Sequence, residues 1–236
     1  MSPLRIFFVM SLLACTSCVQ ASAADDGADS AAVHPLMRDV FAAMPDSVLP
    51  LVSKNNRLDC IDFIENKMEA KVRNLLDEYV TLEALTADYA RFRTSASALM
   101  ELKLLPTSDT TSVLCVVTTA QMGEAGTSLR FEDSNIRFLH SDWSPMVADT
   151  LRRDVEHAYS NLDSYIDEKG DTSIVVFEQA KRSLADFHPV RMALSADDVT
   201  LTLTLQTAQL SKEEREAVDG CLQPVTLTWD GLRFKM

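Results

Sequence analysis

The stretch Leu99–Leu105 reads LMELKLL, and its apolar Met100, Leu102 and Leu104 alternate with the charged Glu101 and Lys103. A period of two predicts a β-strand with one packed face and one wet face. Outward from it, Val80–Leu85, Tyr89–Thr94, Val113–Thr119, Ser128–Glu132 and Ile136–His140 are short β-rich runs separated by polar or glycine-containing turns. Strands joined by such short links predict an antiparallel meander. Upstream, Leu58, Ile61, Met68, Val72 and Leu75 recur at helical steps with charged residues between them, which predicts one amphipathic helix over residues 56–76. That helix is the natural cover for the packed face. The expected fold class is α+β, an amphipathic helix on an antiparallel β-meander within residues 41–143.

The entry to the helix is dense in polar residues. Ser47–Ser53 predicts a shorter preceding helix, with Asp46 or Ser47 as its cap and Pro50 tolerated in the first turn. Asn55 or Asn56 is the expected cap of the longer helix, and Asp59 falls where the helix dipole favours negative charge.

Downstream, Val147, Leu151, Val155, Leu162 and Ile166 allow one helix, and Ile174–Leu184 allows another. Val199, Leu201, Leu203 and Leu205 alternate with Thr200, Thr202 and Thr204, a half-buried strand that pairs with Val190–Leu194 across the Ser195–Asp198 turn. Ser211 and Glu214 have capping-box spacing for a short helix to about Cys221. Val225–Trp229 and Leu232–Lys235 read as a terminal hairpin about Asp230–Gly231, a dipeptide suited to a type I′ turn. Residues 144–236 therefore read as a second α+β unit, either a repeat of the helix-plus-sheet unit or part of the same domain.

Arg5 followed by the apolar Ile6–Ala14 has the anatomy of an export signal, and the apolar run is too short to span a bilayer as a helix. Ala21-Ser22-Ala23 is a cleavage site of the expected kind, so 1–23 read as a signal peptide and 24–40 as a flexible acidic segment. In a competing reading, Leu12–Cys15 is a lipobox and Cys15 carries a lipid anchor. The net charge of −13 makes nucleic acid and anionic membrane surfaces poor partners. Beyond the leader, Cys60, Cys115 and Cys221 allow one disulfide with a thiol left over; Cys115, inside the apolar Val113–Val117, reads as a buried small hydrophobe.

The chain lacks G-x-S-x-G, H-E-x-x-H, Walker A and dinucleotide glycine patterns, and its six glycines leave little material for a phosphate cradle. His34, His140, His157 and His188 fit no metal-ligand spacing. In His140-Ser141-Asp142-Trp143, neighbouring side chains of an extended segment point to opposite faces, so turn polarity explains the cluster better than a triad. Neither a cofactor nor a metal is expected, and no catalytic residue is assigned. The remaining polar constellation is Asp46, Asn55, Asn56, Arg57, Asp59 and Asp62. Its functional reading is a binding corner in which Arg57 clamps a carboxylate and the asparagines read amides or hydroxyls. Its structural reading is capping and an Arg57 ion pair to Asp46 or Asp62. Trp229 is either a stacking platform or a cross-strand partner.

The segments FAAMPDSVLPLVSKNNRLDCIDF, YVTLEALTADYARFRTSASALMELKLLP, VLCVVTTAQMGEAGTSLRFEDSNIRFLHSDW and LSADDVTLTLTLQTAQLSKEEREAVDGCL resemble a family of exported Bacteroidales proteins catalogued as a domain of unknown function. The resemblance implies an α+β fold, a periplasmic or outer-membrane-associated location in a Gram-negative bacterium, and no assigned activity. The expected function is a noncatalytic exported module that binds an envelope protein or peptide through a sheet face or the corner at Arg57. The alternatives are a hydrolase or transferase of envelope polymers using carboxylates such as Asp46 and Asp59, and a structural lipoprotein.

Overall fold

The computed structural model describes residues 34–236 apart from 109–110, 124–130, 148, 167–173 and 186. Strands β1 (Lys71–Arg73), β2 (Tyr79–Leu85), β3 (Tyr89–Ser95), β4 (Ala98–Pro106), β5 (Ser112–Met122) and β6 (Phe131–His140) form a six-stranded antiparallel sheet in sequence order. Links this short leave each strand no partner nearer than its predecessor. A second antiparallel sheet has the order β10-β9-β8-β7, from β7 (Val190–Leu194), β8 (Thr200–Leu205), β9 (Val225–Trp229) and β10 (Phe234–Lys235). Helices α1 (Met37–Ala42) and α2 (Lys54–Glu65) precede the first sheet; α3 (Asp149–Ser160) and α4 (Ile174–Ala185) follow it, and α5 (Lys212–Val218) links β8 to β9.

The six-stranded sheet separates two apolar cores. Ala90, Phe92, Met100, Leu102, Leu104, Leu114 and Val116 pack on Met37, Val40 and Phe41 of α1 and Cys60 and Ile61 of α2. On the opposite face, Tyr89, Leu105, Val113, Cys115, Val117, Ile136 and Phe138 meet Met192, Leu203, Leu227, Trp229 and Phe234 of the second sheet and Leu151 and Val155 of α3. Side-chain oxygens of β6 cap the edge of β7: Val190 N–H donates to Asp133 Oδ1 at 3.2 Å and Met192 N–H to Ser134 Oγ at 2.9 Å. Trp229 Nε1 donates to the Pro106 carbonyl at 2.7 Å. Ala32–Met236 form one compact unit.

This layering overturns the expected wet face of β4. Glu101 and Lys103 are each 1% exposed, because the second sheet lies over them. Lys103 Nζ donates to the Ala196 carbonyl at 3.2 Å and sits 2.9 Å from Asp88 Oδ2. Glu101 Oε1 accepts from Tyr89 Oη at 2.7 Å and lies 3.7 Å from Arg91, while Oε2 has no hydrogen-bond partner among the described residues. Burial raises the Glu101 pKa above the ordinary carboxyl value, an effect opposed by the Tyr89 hydrogen bond and the charges of Arg91 and Arg191.

Other boundaries differ from expectation for local reasons. The helix expected over 56–76 stops at Glu65, since Met68 N–H reaches back to the Phe63 carbonyl at 2.8 Å and Lys67 N–H to Ile64 at 3.0 Å. This is a Schellman closure with Lys67 at φ 60° where glycine is usual, and Lys71–Arg73 then form a strand. Ser47–Ser53 is a run of turns, and the cap of α2 is Ser53, whose Oγ accepts from Asn56 N–H at 3.2 Å. The acidic segment expected to be flexible through residue 40 already contains the start of α1 at Met37; its residues 24–33 lie outside the described residues. Ile136–His140 belongs to one strand beginning at Phe131, while 128–130 of the expected Ser128 strand lie outside the described residues. Cys221 follows α5 instead of lying on it, and Cys60, Cys115 and Cys221 are buried free thiols. The C-terminal hairpin turns through four residues, with Asp230 Oδ1 accepting from Leu232 and Arg233 N–H and only Gly231 at positive φ. The Val190–Leu205 hairpin and the Ser211–Glu214 capping box are as expected.

Ser134→Ala leaves the buried Met192 N–H without its acceptor and is expected to cost about 1–3 kcal/mol in urea unfolding. Glu101→Gln tests the buried carboxylate. The folded state binds the Glu101 proton more tightly than the unfolded state does, so its contribution is favourable at low pH and is lost as pH rises from the unfolded pKa through the folded one. Glu101→Gln should therefore raise stability at pH 7.5, with the gain shrinking as pH approaches about 4.3. A difference independent of pH would show that burial does not control this group.

Candidate functional site

The polar corner expected from sequence resolves into separate tasks. Arg57 is 1% exposed, and its guanidinium donates to the Val52 carbonyl at 2.7 Å, the Met44 carbonyl at 2.5 Å and Asp46 Oδ1 at 2.9 Å. Nε has no partner. The group thus closes the loop from Met44 to Val52 onto α2, and its terminal nitrogens are engaged within the protein. Asn56 donates through Nδ2 to the Arg73 carbonyl on the outer edge of β1 and accepts from Ser53 Oγ at 2.8 Å, which ties the start of α2 to the sheet. Asn55, Asp59 and Asp62 are exposed on α2, and Asp46 is exposed apart from its contact with Arg57.

A different surface gathers charged and aromatic groups on the open part of the six-stranded sheet. The pairings Arg73↔Tyr79, Lys71↔Thr81 and Thr81↔Arg93 place these residues on one face of β1–β3. On the same face Glu101 and Lys103 are covered by the second sheet, whereas Lys71, Arg73 and Tyr79 are exposed and Thr81 and Arg93 half-buried. They line a cavity of about 450 Å³ with Asp77, Glu78 and Ser95. Lys71 Nζ and Arg73 Cζ each lie 4.4 Å from the centroid of the Tyr79 ring, a geometry in which the ring's negative face holds the cations. Glu83 is shared by two guanidinium groups, Oε2 with Arg91 Nε at 2.8 Å and Oε1 with Arg93 Nε at 2.6 Å.

Beside the cavity, the β1–β2 turn is built around Asn74, whose buried Oδ1 accepts from Leu76 N–H at 2.9 Å and Glu78 N–H at 3.0 Å. Asp77 takes φ 62° to complete it. The result presents Leu75 and Leu76 at 72% and 63% exposure, next to the exposed Leu51, whose carbonyl accepts from Leu75 N–H at 2.9 Å. The sequence signals for this surface are the alternations Lys71-Val72-Arg73 and Arg91-Phe92-Arg93. Extending the helix to residue 76 hid the first of them.

Trp229 is buried and stacks edge to face on Phe234 at 5.4 Å, which makes it a core partner of β10. His140–Trp143 form a turn in which Asp142 Oδ1 accepts from Ser144 N–H and Oγ. Burial raises the Cys60 thiol pKa to about 11, which leaves it protonated at neutral pH. Among the described residues no group of three His, Cys, Asp or Glu is placed to hold a metal ion, and no helix is long and apolar enough to cross a membrane.

Arg57→Ala removes the donors of two buried carbonyls and opens a cavity, and is expected to cost about 2–5 kcal/mol. Asp59→Ala and Asp62→Ala should each change stability by less than about 0.5 kcal/mol. Urea unfolding of the three variants checks this; an Arg57→Ala protein as stable as the wild type would show that the loop closes without it.

A solved structure of a domain of an uncharacterized protein from Porphyromonas gingivalis W83 superposes with a TM-score of 0.65 at 25% sequence identity, covering 84% of this chain and 98% of that one. No curated protein matches the chain. The family model described as protein of unknown function (DUF3256) matches residues 32–234, which include the six-stranded sheet, the second sheet apart from Lys235, and helices α1–α5; the chain belongs to this family.

Proposed function

We propose that the protein is an exported, noncatalytic module that binds an envelope protein or peptide through the uncovered half of its six-stranded sheet and the adjoining Leu75–Leu76 turn. The leader-like N-terminal sequence supports export, and a relative from a Gram-negative bacterium is consistent with an envelope setting. The observation that carries the binding role is the turn itself. Two adjacent leucines are held in water by a buried asparagine that fixes the backbone around them. Apolar residues exposed together on an ordered turn beside polar groups are the kind of surface that partners cover. Prior ordering also lowers the conformational cost of association.

A crosslinking pull-down from the native envelope tests the proposal, comparing the wild type with a Leu75→Ser, Leu76→Ser variant. These side chains are exposed, so the variant should keep the unfolding transition of the wild type. A specific partner lost in the variant is the expected result. A partner retained at wild-type yield would overturn the assignment of this surface.

A further inference from the structure

The open sheet face also carries information about the chemistry of what it binds. We infer that the cavity between β1, β2 and β3 takes a carboxylate side chain from an extended peptide that pairs acidic with apolar residues, with Arg93 as the anchor. This inference rests on the peptide-binding reading above and adds the class of peptide.

Arg93 is held through Nε alone, by Glu83. Among the described residues its terminal nitrogens make no hydrogen bond, and Arg93 is a half-buried lining residue of the cavity. A guanidinium fixed at Nε with its terminal donors open is arranged to receive a second carboxylate. Glu83 is shared by both guanidinium groups and Arg91 also faces Glu101 at 3.7 Å, so Arg93 has only a shared carboxylate as its ion-pair partner among the described residues. Lys71 adds an ammonium that its nearest carboxylate, Glu69, approaches only to 3.7 Å. The Thr81 hydroxyl, opposite Arg93 in the ladder, is a further donor.

The cavity is not uniformly cationic, because Asp77 and Glu78 lie at its turn end. Asp77 is engaged by Arg73 at 2.8 Å. Charge therefore runs from positive at Arg93 and Lys71 toward negative at the turn, which also carries the exposed Leu75 and Leu76. A ligand that matches this order presents a carboxylate to Arg93 and Lys71, and apolar residues toward the turn that carries Leu75 and Leu76. A long polyanion does not match, since most of its charge would face a protein with net charge −13. A peptide with one or two carboxylates among apolar residues does.

The test is a titration of the ¹⁵N-labelled protein, followed through backbone amides and arginine Nε–H signals. The probes are a hexapeptide of alternating leucine and glutamate, its leucine–glutamine counterpart, and an oligogalacturonate. The expected result is saturable shifts at Arg93, Lys71 and Tyr79 with the glutamate peptide. Binding should weaken by about tenfold or more for the glutamine peptide and for Arg93→Gln, and in part for Arg93→Lys, the loss of one charge-assisted hydrogen bond. Equal binding of the two peptides, shifts confined to another surface, or no binding at millimolar peptide would overturn the inference. Preferential binding of the oligogalacturonate would also overturn it, by making the carboxylate source a glycan. If the pull-down partner is lost on mutating the leucine turn while the two peptides bind alike, the binding role stands and the carboxylate assignment fails.

Discussion

Lys103 and Glu101 sit on a strand covered on both faces, and a charge removed from water has to be met by partners fixed in place. Lys103 finds the link between β2 and β3 at Asp88 and the link between β7 and β8 at Ala196. One ammonium therefore draws connections from both sheets to a single point. Tyr89, at the start of β3, donates to Glu101 and places its ring 5.9 Å from the lysine nitrogen. A slip of one residue in β4 would turn both charges toward the helices and their apolar core. The pair is thus a register device as much as an ion network, because the alternative pairings strand a buried charge at several kcal/mol.

The helical side is organised by a different economy of donors. The loop from Met44 to Val52 is too irregular to satisfy its own carbonyls, and a buried polar group without a partner is costly. Arg57 supplies several donors from one side chain and so substitutes for absent secondary structure. Asn56, one residue earlier, closes the outer edge of β1, which leaves that edge less open to pairing with another chain. The two residues that most resembled a ligand site in the sequence are thereby occupied in joining two helices to a sheet. With few glycines in the chain, Lys67, Asp77 and Trp143 take positive φ at the ends of elements. Each such residue carries backbone strain of roughly 1–2 kcal/mol, and each is held by neighbours, as Trp143 is by its Nε1 bond to the Val40 carbonyl at 2.8 Å.

How far the structure was legible in the sequence depends on where its determinants act. The strand periods, the α+β class, the β7–β8 hairpin and the Ser211 capping box follow from residues within a few positions of one another, and local pattern reads them well. The wet face assigned to β4 depended on whether another sheet would arrive to cover it, and that sheet lies some 90 residues further along the chain. The overlong helix had a different cause: a lysine stands at the Schellman position, and nothing in its side chain announces positive φ. Arg57 was legible as a polar centre and in its ion pair with Asp46, but not in its bonds to Val52 and Met44, since backbone carbonyls leave no trace in residue type. The Tyr79 and Arg93 surface stayed hidden because the helix was drawn through its first strand.

The six-stranded sheet ends up with one face covered along its whole apolar strip and the other covered only in part. Where the second sheet lies, even lysine and glutamate are taken inside; where it does not, arginines pair with carboxylates and with a tyrosine at the surface. Strand β3 crosses that boundary, with Tyr89 in the core, Arg91 reaching Glu101 at the margin and Arg93 lining the open cavity. Ligand contact at Arg93 would act on Glu83, through it on Arg91, and so on one of the few charges that face the buried Glu101. The open surface and the sheet junction are therefore electrostatically continuous. The run of contacts passes from Arg93 through Glu83 and Arg91 to Glu101, while the buried Asn74 Oδ1 orders the turn that carries Leu75 and Leu76.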